Sequence, residues 1–190
     1  GLAVLNLEGL WSRYEDPDEQ LERIAAAGPE ESTAIMQEIY AEPVKHELIG
    51  RRIEEIKASG TVACGALTPQ RVREHHEVAL EAGLDILVVQ GTVISAEHVS
   101  LSAEPLNLKE FIAEVPVPCI VGGCASYSTG LHLIRTGAVG VLVGVGPGAA
   151  CTTRGVLGIG VPQATAIADV AAARAQHMVE SGQYCAVIAD

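Results

Sequence analysis

The 190-residue chain carries 24 acidic and 12 basic side chains, a formal net charge of −12, and 48% of its residues are hydrophobic. That apolar fraction is typical of a globular protein with one sizeable core. The negative charge would repel a phosphate backbone and argues against nucleic-acid binding. No apolar run approaches the roughly 18 residues of a membrane span, and residues 1–11 lack the basic start of a signal peptide. These features predict a cytoplasmic protein without a membrane partner.

Six short apolar runs, rich in β-branched residues, alternate with helical patterns along the chain. Continuous apolar runs of this length are typical of parallel strands that are buried on both faces. The repeated strand and helix unit fits an open doubly wound sheet or a (β/α)8 barrel, and the spacing alone does not decide between them. The predicted strands cover residues 2–7, 61–67, 84–90, 118–123, 139–144 and 184–190.

Several residues predict where helices begin. Asn107 with Glu110 has capping-box spacing, Ser126 can cap the next helix, and Pro162 suits the first position of the last one. The charged segment 28–60 has isoleucines at helical spacing, which predicts additional helices. Because no flexible linker separates two globular parts, we expect a single domain over residues 1–190.

The cysteine and histidine pattern argues against disulfides and metal ligation. The chain has five cysteines, an odd number, and most lie in apolar runs where a buried free thiol is expected. No Cys-x-x-Cys pair occurs, and the adjacent His75 and His76 would point about 100° apart on a helix. We therefore interpret these histidines as ordinary surface or interface residues.

Cys151 is the exception, because it follows the predicted strand 139–144 in a glycine-rich loop. Ligand sites lie at the carboxyl ends of parallel strands in both candidate folds. Gly144, Gly146 and Gly148 permit positive φ angles and a close approach of the backbone to a ligand. A thiol followed by Thr-Thr-Arg can have a lowered pKa and act as a nucleophile. The alternative, an incidental cysteine in a glycine-rich turn, stays open on the loop alone.

Residues 143–166, VGVGPGAACTTRGVLGIGVPQATA, resemble the catalytic-loop signature of the IMP dehydrogenase and GMP reductase superfamily. In that signature glycines lead to Cys-x-Thr, and a Pro-Gln opens the next helix. Residues 1–6, 84–91, 119–126 and 184–190 resemble the second, fourth, fifth and seventh barrel strands of the family. The resemblance implies a (β/α)8 TIM barrel, present as an incomplete barrel of about six β/α units from a longer protein.

The chain is most similar to the IMP dehydrogenase-related proteins that lack CBS domains. In IMP dehydrogenases those domains are usually inserted between the second helix and the third strand. In this chain only the helical segment 28–60 occupies the position between the second helix and the third strand. We therefore interpret residues 28–60 as a helical insertion in place of the CBS domains.

The resemblance also implies a mechanism and a set of site residues. Cys151 would attack C2 of the hypoxanthine ring of IMP, a hydride would pass to NAD, and hydrolysis would release XMP. Thr153 matches the threonine that positions the chemistry at C2, and Asp190 matches the aspartate that binds the ribose hydroxyls. The carbonyls of Gly146, Gly148 and Cys151 match those that coordinate a monovalent cation, usually potassium.

Other predicted contacts follow from the same resemblance. Three positions depart from the family pattern: Gln90-Gly91-Thr92 replaces Asp-Ser-Ser, Cys124 replaces an asparagine, and Ala149 replaces a serine that helps to bind phosphate. The substrate is nevertheless expected at Asp190, Ala149 and Cys151. The cofactor is expected at Gln90, Gly91, Thr92, Gly144 and Gly146.

Two alternative functions stay open. A GMP reductase would use NADPH to convert GMP to IMP and ammonia, and the residues that best separate it from a dehydrogenase lie beyond residue 190 in the family. A homologue of another class would sense purine nucleotides without catalysis. In each case the partner is a purine nucleotide such as IMP, XMP or GMP, and the full-length protein is expected to be a homo-tetramer or octamer.

Overall fold

The computed structural model describes residues 3–92, 94, 97–98 and 106–190. The chain forms two compact units, which we call the first and the second unit. The first contains Gly1–Leu67 and Glu74–Asp85, and the second contains Thr68–Arg73 and Ile86–Asp190. This division does not test the expectation of a single catalytic domain, which stays a prediction.

The first unit contains two parallel strands, three complete helices and most of a fourth. Strands β1 and β2 pair with Leu5 opposite Gly65. Helices α2 and α3 occupy the segment 28–60, where the isoleucine spacing predicts helices. The elements are β1 (Leu5–Asn6), a 3-10 turn (Leu10–Ser12), α1 (Asp18–Ala26), α2 (Ser32–Tyr40), α3 (His46–Ala58), β2 (Cys64–Leu67) and α4 (Val72–Glu81).

Close packing beside Gly65 and the hydrogen bonds of the buried Arg13 side chain stabilise this unit. A Cβ atom at Gly65 would lie 2.6 Å from Cδ1 of Leu7, so the missing side chain lets Leu7 pack fully buried against β2. The Arg13 guanidinium is 8% exposed and donates to the carbonyls of Glu8, Tyr40 and Glu42. These bonds satisfy the buried charge and tie the segment after β1 to the end of α2.

Helix α4 buries a histidine that the sequence analysis places at the surface. Its buried positions are Val72, His75 and Ala79, at i, i+3 and i+7, and His75 is 1% exposed. The Nδ1 atom of His75 lies 3.0 Å from Nε2 of His46. The prediction of an ordinary surface or interface histidine is therefore wrong for His75, which is buried inside the unit. Among the described residues no group of three or more His, Cys, Asp or Glu side chains could hold a metal ion.

The second unit contains a parallel sheet with the strand order β3-β6-β7-β8. Val89 of β3 lies opposite Val121 of β6, and Val121 lies opposite Val141 of β7. A two-stranded antiparallel pair, β4 and β5, was not predicted. The elements are β3 (Ile86–Gln90), β4 (Glu97–His98), β5 (Leu106–Asn107), α5 (Leu108–Glu114), β6 (Cys119–Cys124), α6 (Tyr127–Ile134), β7 (Gly140–Val143), α7 (Thr153–Leu157), α8 (Gln163–Ser181) and β8 (Ala186–Ala189).

This strand order excludes the dinucleotide-binding form of the open doubly wound sheet. The third and fourth parallel strands along the chain, β3 and β6, pair directly. The dinucleotide-binding order 3-2-1-4-5-6 would place them apart. Strands that neighbour one another in chain order are the arrangement found in β/α barrels.

The sheet of the second unit is also strongly curved. Strands β3 and β8 are three strand spacings apart, which amount to about 14 Å in a flat sheet. Nevertheless, Nε2 of Gln90, the last residue of β3, lies 2.9 Å from Oδ2 of Asp190, which follows β8. The carboxyl ends of β3 and β8 therefore bend toward each other, as they do in a barrel.

The predicted helix starts agree with the structure within one residue. The Asn107 side chain accepts from the backbone N–H groups of Lys109 and Glu110, and the Ser126 hydroxyl accepts from that of Thr129. Both caps are confirmed. Pro162 lies at the cap position, one residue before the start of α8. Among the described helices, none is both long enough and apolar enough to cross a bilayer.

Candidate active site

The carboxyl ends of the four strands of the second unit are linked by backbone hydrogen bonds. The N–H of Gly91 donates to the carbonyl of Gly122, and the N–H of Gly123 donates back to the carbonyl of Gly91, both at 2.8 Å. Toward the other edge, the N–H of Asp190 donates to the carbonyl of Val143 at 2.9 Å. These bonds fix the positions from which the predicted site residues project.

Gly144 allows two backbones to meet at the start of the cysteine loop. A Cβ atom at this position would lie 2.3 Å from the backbone oxygen of Asp190. Gly146 has a φ of +62° and is buried, with the Cγ of Arg154 3.0 Å from the place of its missing Cβ. A side chain is therefore excluded at Gly144 by the close approach of Asp190, and it is disfavoured at Gly146 by the positive φ.

The loop presents Cys151 to solvent just before the short helix α7. Its N–H donates to the carbonyl of Gly148 at 3.2 Å, and the Arg154 guanidinium donates to the same carbonyl at 3.2 Å. Thr152 is the residue at the cap position of α7, and Thr153 begins the helix. The loop is thus closed on itself, and the thiol is exposed at its tip.

Local hydrogen bonds activate this thiol. The side-chain hydroxyl of Thr153 and then its backbone N–H donate to the sulfur, and the nearby Arg154 charge also favours the thiolate. Together they lower the pKa of Cys151 below its ordinary value, against a smaller opposing effect of desolvation. The sequence prediction that Thr-Thr-Arg would lower this pKa agrees with the structure.

The other four cysteines have the opposite character. Each is buried and free, and burial raises its thiol pKa to about 11, so the thiol is uncharged near neutral pH. This confirms the prediction of buried free thiols. Among the five cysteines, only one is both exposed and shifted toward the thiolate. The four are Cys64, Cys119, Cys124 and Cys185.

We expect an alkylating agent such as iodoacetamide to modify Cys151 first. Alkylation follows the thiolate fraction, so its rate should reach half of its maximum at a lower pH than for a free cysteine. The four buried cysteines should react only after denaturation. Peptide mapping by mass spectrometry at short reaction times measures this order, and a first modification at Cys124 would contradict it.

Asp190 is held by bonds from three directions. Its backbone N–H is bonded to Val143, as described above, and Nε2 of Gln90 donates to its carboxylate at 2.9 Å. The amide of Gln163, at the start of α8, donates to the carbonyl of Val143 at 2.6 Å and to that of Asp190 at 3.4 Å. Sequence analysis did not assign Gln163 to the site. The signal for it is the Pro-Gln pair at the start of the helix.

The structure thus brings some of the predicted site residues together. Gln90 contacts Asp190, Gly144 lies against Asp190, and Thr153 contacts Cys151. Thr92 and Ala149 are exposed, and Ala149 offers no side-chain donor to a phosphate. The backbone of Gly91 is engaged with β6, as described above.

With this geometry established, the chain can be compared with known proteins. Residues 21–190 match the family described as the IMP dehydrogenase / GMP reductase domain. The chain belongs to this family. Its incomplete barrel of parallel strands is accordingly an IMP dehydrogenase/GMP reductase fold, as the loop signature predicts.

Relatives of this IMP dehydrogenase/GMP reductase chain include proteins of known structure. One is an IMP dehydrogenase/GMP reductase-like protein from Corynebacterium glutamicum, whose crystal structure matches with a TM-score of 0.91. The two sequences are 46% identical, and the match covers 100% of this chain and 50% of that protein. An uncharacterized oxidoreductase of Mycobacterium tuberculosis is 46% identical over 197 residues, which are 100% of this chain and 52% of the relative. The chain therefore spans about half the length of these relatives.

Enzymes of established name match over a shorter region. The inosine-5'-monophosphate dehydrogenase of Haemophilus influenzae is 36% identical over 119 residues, which are 62% of this chain and 22% of that enzyme. The family to which the chain belongs thus includes proteins named as oxidoreductases.

Proposed function

We propose that the full-length protein oxidises IMP to XMP with NAD through a covalent intermediate on Cys151. The observation that carries this proposal is the contrast among the cysteines: Cys151 is exposed with a lowered pKa, whereas the other four are buried with raised values. The loop of Cys151 starts at Gly144, whose backbone lies against Asp190. A nucleophile and an acceptor for sugar hydroxyls therefore belong to one edge of the sheet.

The proposed reaction assigns one task to each residue. The Cys151 thiolate forms a bond to C2 of the hypoxanthine ring, and the hydride on C2 would leave with both bonding electrons for the acceptor that a bound NAD would supply. Water then replaces the sulfur at C2, which releases XMP and restores the thiol. A thiolate suits both steps, since it is a good nucleophile and a good leaving group. Thr153 stabilises the thiolate before attack.

Asp190 supplies the binding side of the reaction. An ionised carboxylate has only acceptor sites, which suit the two hydroxyls of a ribose. Its backbone bond to Val143 and its side-chain bond to Gln90 hold it in place before the substrate arrives. Binding of the ribose hydroxyls by Asp190 then orients C2 of the ring toward the Cys151 thiolate.

The residues predicted to bind NAD fit their ligand better than the residues predicted to bind a cation fit theirs. The exposed Thr92, two residues after β3, can offer a hydroxyl to the cofactor, which would supply the hydride acceptor when bound. The Gly148 carbonyl, by contrast, already accepts hydrogen bonds from Cys151 and from the Arg154 guanidinium. Its two acceptor sites are therefore occupied, one by a cationic group, and this arrangement does not fit a potassium ligand. The proposal includes no role for a cation.

A reductase is the second candidate, and one observation favours it. The end of β3 carries the neutral amide of Gln90 instead of a carboxylate, so the expected nicotinamide site differs from the dehydrogenase pattern. In that reaction NADPH would deliver a hydride to C2 of GMP, and the amino group would leave as ammonia. Cys151 and Thr153 would keep the same positions.

The test is an assay of the full-length protein with IMP and NAD, and separately with GMP and NADPH. The absorbance of reduced nicotinamide should rise with the first pair and stay constant with the second. A fall with the second pair alone would overturn the dehydrogenase in favour of the reductase. Nucleotide binding without turnover of either pair would favour a non-catalytic sensor, and a matched Cys151→Ala protein controls for contaminating enzymes.

A further inference from the structure

We propose that Gln90 is a positioning residue that orients the carboxylate of Asp190 for the nucleotide, and that it does not serve as a contact for the cofactor. The inference rests on the proposed function, in which Asp190 binds the sugar. Its starting observation is the hydrogen bond from Nε2 of Gln90 to Oδ2 of Asp190, at 2.9 Å, between residues 100 positions apart.

The bond completes the restraint of Asp190. The backbone of Asp190 is held by β7 through Val143, and its carbonyl receives the amide of Gln163 from α8. Neither bond limits rotation of the side chain about its own torsions. Gln90, from β3, supplies the contact that fixes the carboxylate, and it engages Oδ2, so Oδ1 keeps both of its acceptor sites for a ligand.

Side-chain length and charge both favour glutamine at position 90. The bond crosses the curved sheet from the end of β3 to the residue after β8, and asparagine would be one methylene shorter. A carboxylate at this position would face Asp190 at hydrogen-bond distance, and the like charges would repel unless one oxygen kept a proton. A neutral donor of this length orients the Asp190 carboxylate without placing a second negative charge beside it.

This role predicts a specific pattern of ligand affinities. If Gln90 acts through Asp190, its loss matters only for a nucleotide whose hydroxyls Asp190 can bind. If Gln90 contacts the cofactor, its loss changes the KM for the cofactor and leaves nucleotide binding unchanged. A general structural role would weaken every nucleotide alike.

The experiment measures the Kd of IMP and of 2',3'-dideoxy-IMP for the full-length protein and its Gln90→Met variant, which keeps the chain length without the donor. We expect IMP to bind about tenfold more weakly to the variant, and dideoxy-IMP to change less than about twofold. The KM for the cofactor should stay unchanged. Gln183→Met, in the exposed loop before β8, is the matched control and should bind both nucleotides as the wild type does.

Gln90→Glu is a second variant of the same size, and near neutral pH it should lose at least as much IMP affinity as Gln90→Met. Equal binding of IMP by the wild type and the Gln90→Met variant, a parallel loss for both nucleotides, or an effect on the cofactor alone would each overturn the inference. If the wild type binds no purine nucleotide, the proposed function itself fails, which is a different result. Thermal unfolding of each variant verifies that it is folded.

Discussion

Replacement of Cys151 by alanine in the full-length protein should lower turnover by about 1,000-fold or more and change the Kd of IMP by less than about threefold. The reason is that the thiolate forms a bond with the substrate only during the reaction, whereas binding depends on groups such as Asp190. The covalent nucleotide adduct, seen by mass spectrometry of the quenched reaction, should disappear in the variant.

The matched control for this prediction is Cys119→Ala. Cys119 is buried at the first position of β6, at the opposite end of the strand from the site, and its thiol pKa is raised to about 11. Its replacement should leave turnover within about twofold of the wild type, at a small cost in stability. Near-normal turnover of Cys151→Ala would rule out the covalent mechanism.

Replacement of Gly144 by alanine should lower the free energy of unfolding by about 2–3 kcal/mol, because the added methyl would overlap the backbone of β8. The new Cβ atom would lie 2.3 Å from the backbone oxygen of Asp190, and the φ of +157° is unfavourable for any residue with a side chain. Urea unfolding of the full-length protein measures the change. Because Asp190 has to move, the affinity for IMP should fall as well.

Gly155→Ala provides the comparison within the same loop region. It lies inside α7, and a Cβ atom there would meet nothing within 4 Å. Alanine is favoured over glycine within a helix by up to about 1 kcal/mol, so this variant should be as stable as the wild type or slightly more stable. Equal stability of both variants would show that Gly144 is not under the steric restraint described.

Much of the fold could be predicted from local patterns. The six apolar runs each coincide with a strand of the observed structure, and the caps at Asn107 and Ser126 are confirmed, since capping depends on a side chain and the next few residues. Five of these strands are shorter than their runs, as for β1, which covers only Leu5–Asn6 within residues 2–7, whereas β6 has the length of its run and is displaced by one residue. Apolar composition extends beyond the residues that pair, so it overestimates strand length.

The elements that were missed are short. Helix α7 has five residues and contains Gly155, which weakens any helical signal, and β4 and β5 have two residues each. Periodicity needs several turns or alternations to be visible, so such elements lie below its limit. His75 was misplaced because it shares one buried helix face with Val72 and Ala79, which the adjacent pair of histidines alone does not show.

The site could be predicted where its chemistry is local. The Cys151 thiol is activated by Thr153 and Arg154, which are within three positions of it, so the loop sequence alone indicated the shift. The bond between Gln90 and Asp190 spans 100 positions and depends on the curvature of the sheet. No spacing rule relates residues so far apart, and the site residues as a set stay a prediction until the variants are measured.

That long separation also determines when the site can form during synthesis. The cysteine loop contains all the groups that lower the pKa of Cys151, and its first residue, Gly144, is bonded to Cys124 at the end of β6, so the reactive thiol can form before β8 joins the sheet. The nucleotide contact needs Asp190, whose backbone joins the sheet only when β8 pairs with β7. Between these two events the growing chain would carry an activated cysteine that no bound nucleotide shields from oxidants.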